Sequence, residues 1–268
     1  MITCRSAAEI DRMRAPNRLV ADVLDALEGA VAPGVTTGEL DRMAERLVRA
    51  AGAEPAFKGY RGFPATLCVS INEEIIHGIP SPTRVLQDGD IVSIDLGAKL
   101  GGFYGDSAVT VPVGTIPART AELLRVTREA LERAIAQVRV GGRLSDLGHA
   151  VQQWAEGHGF SVVREFVGHG IGERLHEEPQ IPNYGTPGRG PKLQAGMVLA
   201  IEPMIALGRP EAKVLADGWT AVTRDGSVSA HFEHTVAVTA DGPLILTARR
   251  GVETGDRPRP AGPVEARH

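Results

Sequence analysis

A ten-residue segment occurs twice in this chain, and the repeat limits the available folds more than any other feature. Leu86-Gln87-Asp88-Gly89-Asp90-Ile91-Val92-Ser93-Ile94-Asp95 aligns with Leu193-Gln194-Ala195-Gly196-Met197-Val198-Leu199-Ala200-Ile201-Glu202, an offset of 107 positions (202 less 95). Leu, Gln, Gly and Ile recur in place, and both copies end in an acid. The same offset carries Gly34 to Gly141, Leu40 to Leu147 and Gly52 to Gly159. Two unrelated turn-plus-strand segments are the alternative, but the shared flanking positions favour a duplication. The chain then folds as two homologous α/β halves about a pseudo-two-fold axis, joined near Pro112 to Pro117.

The order of elements repeats as well. Ser6 and Glu9 form a capping box ahead of Ile10, Met13, Val20, Val23, Leu24 and Leu27 at helical spacing. Pro16 falls inside that pattern and should kink or restart the helix. Thr36 and Glu39 make a second box before Leu40, Met43, Leu47 and Val48, ending near Gly52. Strand-like runs follow at 66–71, 91–96 and 108–113. The second half has helical patterns at 118–138 and 145–156, then strands near 161–167, 198–201 and 235–238. One domain over 1–250 is expected, with halves at about 1–115 and 116–250. The Pro-, Gly- and Arg-rich stretch at 251–268 lacks periodicity and reads as a disordered tail.

Composition removes several function classes. The formal net charge is −4 and the sequence pI about 6.1, which argues against a nucleic-acid or anionic-membrane partner. Two cysteines, Cys4 and Cys68, cannot make a disulfide framework or a Cys-rich zinc fold. No apolar run reaches the roughly 18 residues of a membrane span. Arg5, Glu9, Asp11 and Arg12 interrupt the N-terminus before a signal-peptide core forms. The expected location is cytoplasmic.

The acid excess concentrates in one place. Asp95 and Asp106 flank Gly101-Gly102, so a hairpin is expected. With pairing centred on Leu100–Gly101, the two acids stand directly opposite on one face, and like charges so placed require a cation between them. Two acids on a solvated turn are the alternative. The duplication supplies a counterpart to each. Glu202 ends the apolar run Met197-Val-Leu-Ala-Ile in place of Asp95, and Glu233, within the strand-like run 229–238, takes the place of Asp106. A pseudo-two-fold axis brings all four together. Four buried carboxylates without counterions are prohibitively costly. Two divalent cations about 3.5–4 Å apart would neutralise them, and oxygen-rich ligation suits Mn, Fe, Co or catalytic Zn. A core ion-pair cluster is the rival reading, but the apolar strands bring no Lys or Arg. Three histidines lie in Gly- or Pro-bounded loops: His77 in His77-Gly-Ile-Pro, His169 in Gly168-His169-Gly170-Ile171-Gly172, and His176 seven residues on.

These motifs, in this order, resemble the type I methionine aminopeptidases of the pita-bread metallopeptidase fold, in their short bacterial form. The resemblance runs from Glu9 to about Leu246. It implies a curved antiparallel sheet covered by helices. It further implies Asp95 on one metal, His169 and Glu202 on the other, and Asp106 and Glu233 bridging both. The implied reaction removes an initiator methionine from a nascent polypeptide whose second residue is small. Glu202 acts as general base while also a ligand, His176 donates to the developing oxyanion, and His77 contacts the amide nitrogen. The methionine pocket maps to Phe57, Tyr60, Phe63, Cys68 and Trp219, an aromatic and sulfur-lined slot suited to a thioether. Trp219 lies in a loop of about twenty residues that lengthens the second half, where the acids are 31 apart (233 less 202) against 11. A monovalent-cation site of main-chain oxygens maps near Asn72, Glu74 and Ser229. Leu175 stands where the family usually has an aromatic residue, Phe63 where Tyr is common and Phe57 where Cys is common. The resemblance implies a monomer and leaves transient ribosome association open.

Two rivals remain. An Xaa-Pro aminopeptidase or dipeptidase of the same fold usually carries an N-terminal domain of over a hundred residues, for which 268 residues leave no room. A non-catalytic pita-bread binding protein would typically have lost ligands, whereas all five are present.

Overall fold

The computed structural model describes residues 2–249. Position 250 and the tail expected at 251–268 lie outside the described residues. The first half opens with α1 (Ala7–Ala30) and α2 (Thr37–Ala50), and both capping boxes form as expected: Ser6 and Thr36 accept from Glu9 N and Glu39 N, and each glutamate accepts in return. Strands β1 (Glu54–Pro55), β2 (Leu67–Ile71), β3 (Glu74–Ile76), β4 (Ile91–Leu100) and β5 (Phe103–Pro112) follow. The second half begins with α3 (Ala118–Ala136) and α4 (Leu144–Gly157), then β6 (Ser161–Val162), β7 (Gly168–Gly170), β8 (Glu177–Ile181) and β9 (Val198–Ile201). It ends with β10 (Met204–Ala206), β11 (Ala212–Val214), β12 (Ala221–Thr223), β13 (Ser229–His231), β14 (His234–Thr239) and β15 (Gly242–Ile245). Strand pairing among the described residues is antiparallel. The β1-β4-β2 sheet, with β5 on β4, belongs to the first half, and β15-β14-β9-β7-β8 to the second.

The duplication is written in the backbone. An offset of 107 turns the bounds of α2 into those of α4, and the bounds of β1 into those of β6. It turns the isolated bridge Thr36↔Val85 into Arg143↔Lys192. Gly34 N donates to the Leu86 carbonyl at 2.9 Å, and Gly141 N donates to Leu193 at 2.9 Å. Gly89 and Gly196 share φ values of +97° and +95°, a conformation that costs glycine little and other residues more.

Three expectations are corrected. α1 runs through Pro16 without restarting. Asn17 Nδ2 donates to the Met13 carbonyl one turn back, at 2.8 Å. The helix also lies directly on β5 at Gly105, where a Cβ would come within 2.7 Å of Asn17 N and 2.8 Å of the Pro16 carbonyl carbon. Packing on β5 thus accompanies a helix that is not restarted at Pro16. The strand expected at 161–167 is only the two residues of β6. The run 229–238 is divided, with Phe232 and Glu233 between β13 and β14.

One buried apolar cluster draws on both halves, including Leu24, Leu40, Ile94, Leu123, Val151, Leu199 and Val236. Polar ties also cross between the halves. Ser107 Oγ donates to the Glu233 carbonyl at 2.6 Å, and Thr235 Oγ1 donates to that of Asp106 at 2.8 Å. Glu233 N donates to the Ala108 carbonyl at 2.9 Å. These ties hold the main chain at Asp106 and Glu233 against each other. In addition, β12 of the second half pairs with β3 of the first.

Candidate metal centre and substrate pocket

The β4–β5 hairpin carries two of the expected acids, but not in the expected register. Leu100 pairs with Phe103, and Gly101 and Gly102 both take positive φ, +62° and +86°. A two-residue loop with two left-handed positions matches strand twist, so both glycines are spent in the turn. Asp95 therefore faces Ala108, and Asp106 faces Gly97. The two acids are diagonal rather than opposite, yet share a face, because positions two apart on a strand point the same way. The space beside Gly97 is filled by Phe57, whose Cε1 would lie 2.5 Å from a Cβ there. In the second half, β9 pairs Ile201 with His234, and extending that register by one position sets Glu202 opposite Glu233. Asn183 Nδ2 holds the Glu202 carbonyl at 2.9 Å.

The ligand atoms of Asp106, His169 and Glu233 lie within 4.8 Å of one another, and all three residues are buried. His169 Nε2 is 3.8 Å from Asp106 Oδ2 and 3.7 Å from Glu202 Oε1. Its Nδ1 is 3.0 Å from the Gly170 carbonyl, which can only accept, so Nδ1 holds the proton and Nε2 presents its lone pair to the acids. Asp95 Oδ1, Asp106 Oδ1 and Glu233 Oε1 are buried without a hydrogen-bond partner. Burial pushes Asp95 and Glu202 up to about 7, and Asp106 and Glu233 well above the carboxylate range. The same low-polarity surroundings pull His169 down. Orphaned carboxylate oxygens around a neutral imidazole form a donor set that fits divalent cations.

The other two expected histidines border this cluster. His77 sits at φ +61°, rare for a residue with a side chain. The next residue, Gly78, is pressed against β2, where a Cβ would come within 2.2 Å of the Val69 carbonyl oxygen. The His77 ring meets Phe166 and Trp219 edge-on, at 5.9 and 6.3 Å between centroids. His176 is exposed; its ring lies 4.2 Å from that of His169 and its Nδ1 is 2.9 Å from Tyr60 Oη. Burial brings His77 down to about 4, and the packing of the His176 ring against Tyr60 and His169 brings that group to about 4 although the residue has an open edge, so both are neutral at pH 7.

The expected pocket residues also come together. Phe57, Phe63 and Cys68 are buried in one cluster with Phe103, Ile171 and Leu175, and Tyr60 and Trp219 pack on its edge. Phe63 and Trp219 meet in a T at 5.1 Å. Cys68 pairs across the sheet with Asp95, and burial raises its thiol well above the usual range. Ser229 N donates to the Asn72 carbonyl at 2.8 Å, which places two of the residues named for a monovalent cation side by side.

His231 was not singled out by sequence reasoning. It is 1% exposed, and its Nε2, buried without a hydrogen-bond partner, lies 3.4 Å from Glu202 Oε2. Glu202 is thereby flanked by two imidazoles, one toward each oxygen. The available signal was its place two residues before Glu233 in a strand-like run.

A sequence profile of metallopeptidase family M24 matches residues 11–240. The chain is similar to methionine aminopeptidase 1 of Bacillus subtilis, 53% identical over 247 residues that cover 92% of this chain and 99% of the relative. It is also similar to the solved structure of methionine aminopeptidase from Thermotoga maritima, with a TM-score of 0.91 at 48% identity over 92% of this chain and 99% of that one. Against the prolidase from Pyrococcus furiosus the TM-score is 0.75 at 24% identity, over 91% of this chain and 65% of that one, a likeness of fold alone.

Proposed function

The chain belongs to metallopeptidase family M24 with its pita-bread fold, and on that premise we propose how its residues carry out a metal-dependent methionine aminopeptidase activity. Asp95, Asp106, His169, Glu202 and Glu233 would hold two divalent cations, Asp95 serving one, His169 and Glu202 the other, and Asp106 and Glu233 both. The observation that carries this reading is the set of buried carboxylate oxygens with no protein partner at the meeting of the two halves. Bound there, the cations supply Lewis acidity that activates water and polarises a carbonyl near neutral pH. Co, Mn, Fe and Zn all suit the donor set. Asn72, Glu74 and Ser229 are assigned a monovalent cation through main-chain oxygens.

The protein's own groups do the rest. Glu202, a carboxylate at the meeting of the two halves, takes a proton from the attacking water and passes it to the leaving amine. In this reading the Tyr60 hydroxyl, 2.9 Å from His176 Nδ1, is the donor of that pair, which leaves the imidazole proton on Nε2 for the developing oxyanion. His77, kept neutral by burial, meets the amide nitrogen of the scissile bond. The substrate's free amine lies toward Asp95, which makes the enzyme an exopeptidase. Phe57, Tyr60, Phe63, Cys68 and Trp219, with Leu175, enclose the methionine side chain. The substrates are nascent polypeptides in the cytoplasm whose second residue is small, met by a monomer in passing at the ribosome.

Turnover of Met-Ala-Ser and of an Ala-Pro peptide, measured across Co, Mn, Fe and Zn, tests the assignment. Release of methionine from the first is the expected result. Turnover of the proline substrate alone would move the chain to the Xaa-Pro peptidases.

A further inference from the structure

The motif Gly168-His-Gly-Ile-Gly172 contains a glycine that the proposed metal centre does not use. Gly172 has no unusual backbone angle, yet a side chain there would displace the Arg5 guanidinium. A Cβ there would stand 2.4 Å from Arg5 Nη2 and 2.8 Å from its Cζ and Nε. A second glycine makes room for the same residue. At Gly196 a Cβ would meet the Arg5 carbonyl oxygen at 2.4 Å and its nitrogen at 2.9 Å, while Arg5 N donates to the Gly196 carbonyl at 2.7 Å. Two segments of the second half are therefore shaped around one arginine near the N-terminus.

The Arg5 side chain is only 5% exposed, and its contacts converge on one loop. Nη2 donates to both oxygens of Glu177, at 2.6 and 2.8 Å, and Nη1 donates to Glu173 at 3.1 Å. The guanidinium also lies over the Phe103 ring, 5.8 Å from its centroid. Glu177 has a side chain only 6% exposed and accepts a third bond, from Arg174 N at 3.1 Å. The other end of the loop is fixed by Tyr104 N donating to the Gly172 carbonyl at 2.8 Å. His176 sits between these anchors. Its ring stacks on Tyr60 at 5.2 Å and lies 4.2 Å from the His169 ring, with Nδ1 2.9 Å from the Tyr60 hydroxyl, and the backbone that carries it sets how it meets these neighbours. Nη2 spans both Glu177 oxygens while Nη1 reaches Glu173, so two acids fix the planar guanidinium in direction as well as distance, which a point charge does not allow.

We propose that Arg5 is a positioning residue for His176, clamping residues 173–177 through Glu177 so that the imidazole reaches the scissile carbonyl. The proposal rests on the assignment of His176 as the donor to the oxyanion. A catalytic group displaced by about 1 Å loses on the order of 100-fold in rate. Arg5→Ala should therefore act on kcat through His176 and leave the metal centre and the methionine pocket in place.

The test uses the full-length, metal-loaded enzyme with Met-Ala-Ser as substrate. Arg5→Ala, Arg5→Lys, Glu177→Gln, His176→Ala and the double variant Arg5→Ala/His176→Ala are compared for kcat, KM, bound metal and Tm. The expected result is a kcat loss of about 10- to 100-fold in Arg5→Ala, with KM and metal content close to those of the parent. The double variant should be no slower than His176→Ala, because two residues acting through one step are not additive. Arg5→Lys should recover part of the loss. If Arg5→Ala does not fold, Glu177→Gln, which keeps the shape but removes the charge and one of the two oxygens that Nη2 reaches, takes its place in the cycle. Losses that multiply in the double variant, or an unchanged kcat in Arg5→Ala, overturn the proposal. A His176→Ala enzyme with full kcat instead brings down the assignment of His176, a separately visible outcome.

Discussion

Replacing Asp95 by asparagine should make the cation-free protein more stable above neutral pH and no more stable in acid. Burial raises this carboxyl from its ordinary 3.8 to about 7. Between those values the folded chain holds a proton that the unfolded chain has released. Stability from this group is therefore complete below about pH 4 and is lost as pH rises through 7. At 1.36 kcal/mol per unit, the whole window is worth about 4 kcal/mol, of which about 3 kcal/mol falls between pH 5 and 8. The histidines act in the opposite direction. His77 and His176, lowered to about 4, gain stability as pH rises toward 6.5, so the parent curve alone is not diagnostic. The difference between Asp95→Asn and parent removes them. Thermal melts in chelator should show the variant's Tm advantage growing by on the order of 10 °C from pH 5 to 8. With saturating divalent cation the sign should reverse, because the variant has lost a ligand. Parallel Tm curves in chelator would show that Asp95 is not desolvated in the empty centre, and the case for a cation there would lose its basis.

Asp106→Ala should lower the bound metal measured by elemental analysis, since Asp106 belongs to the tightest ligand group; an undiminished content rules it out as a shared ligand. His77→Ala should reduce kcat by about 10²–10³-fold with bound metal unchanged, and metal loss would mean that a neighbour of the centre is in truth a ligand. Gly97→Ala places a methyl 2.5 Å from Phe57 Cε1 and should cost about 1–3 kcal/mol by overpacking. The same variant should raise KM for methionyl peptides, and an unchanged KM would remove Phe57 from the pocket.

The halves, their element order and the four acids were legible because duplication preserves what a turn or buried strand end cannot give up. Gly89 and Gly196 keep their positive φ, and Asp95 and Glu202 keep their place after an apolar run. The hairpin register was misjudged because two adjacent glycines allow two centres. Only the backbone shows that both Gly101 and Gly102 are left-handed. The restart that Pro16 suggested does not occur, and α1 lies on β5 at Gly105, a contact across the chain that the local pattern does not show. His231 sits on no spacing motif, and Arg5 reaches acids 168 and 172 positions away. Contacts of that separation leave no periodic trace in a single sequence.

The hydrogen bonds that tie the main chain at Asp106 to that at Glu233 set chain positions 127 apart side by side. On the proposed ligand assignment, a cation shared by these two side chains closes a loop of that length. In polymer terms it is a crosslink, and the closure entropy it removes from the unfolded ensemble grows only with the logarithm of the loop. A disulfide would do the same once and for good. A metal crosslink opens whenever the ion leaves, so the protein's persistence in a cell follows the supply of free cation. Scarcity of the ion then lowers the protein's stability as well as its activity.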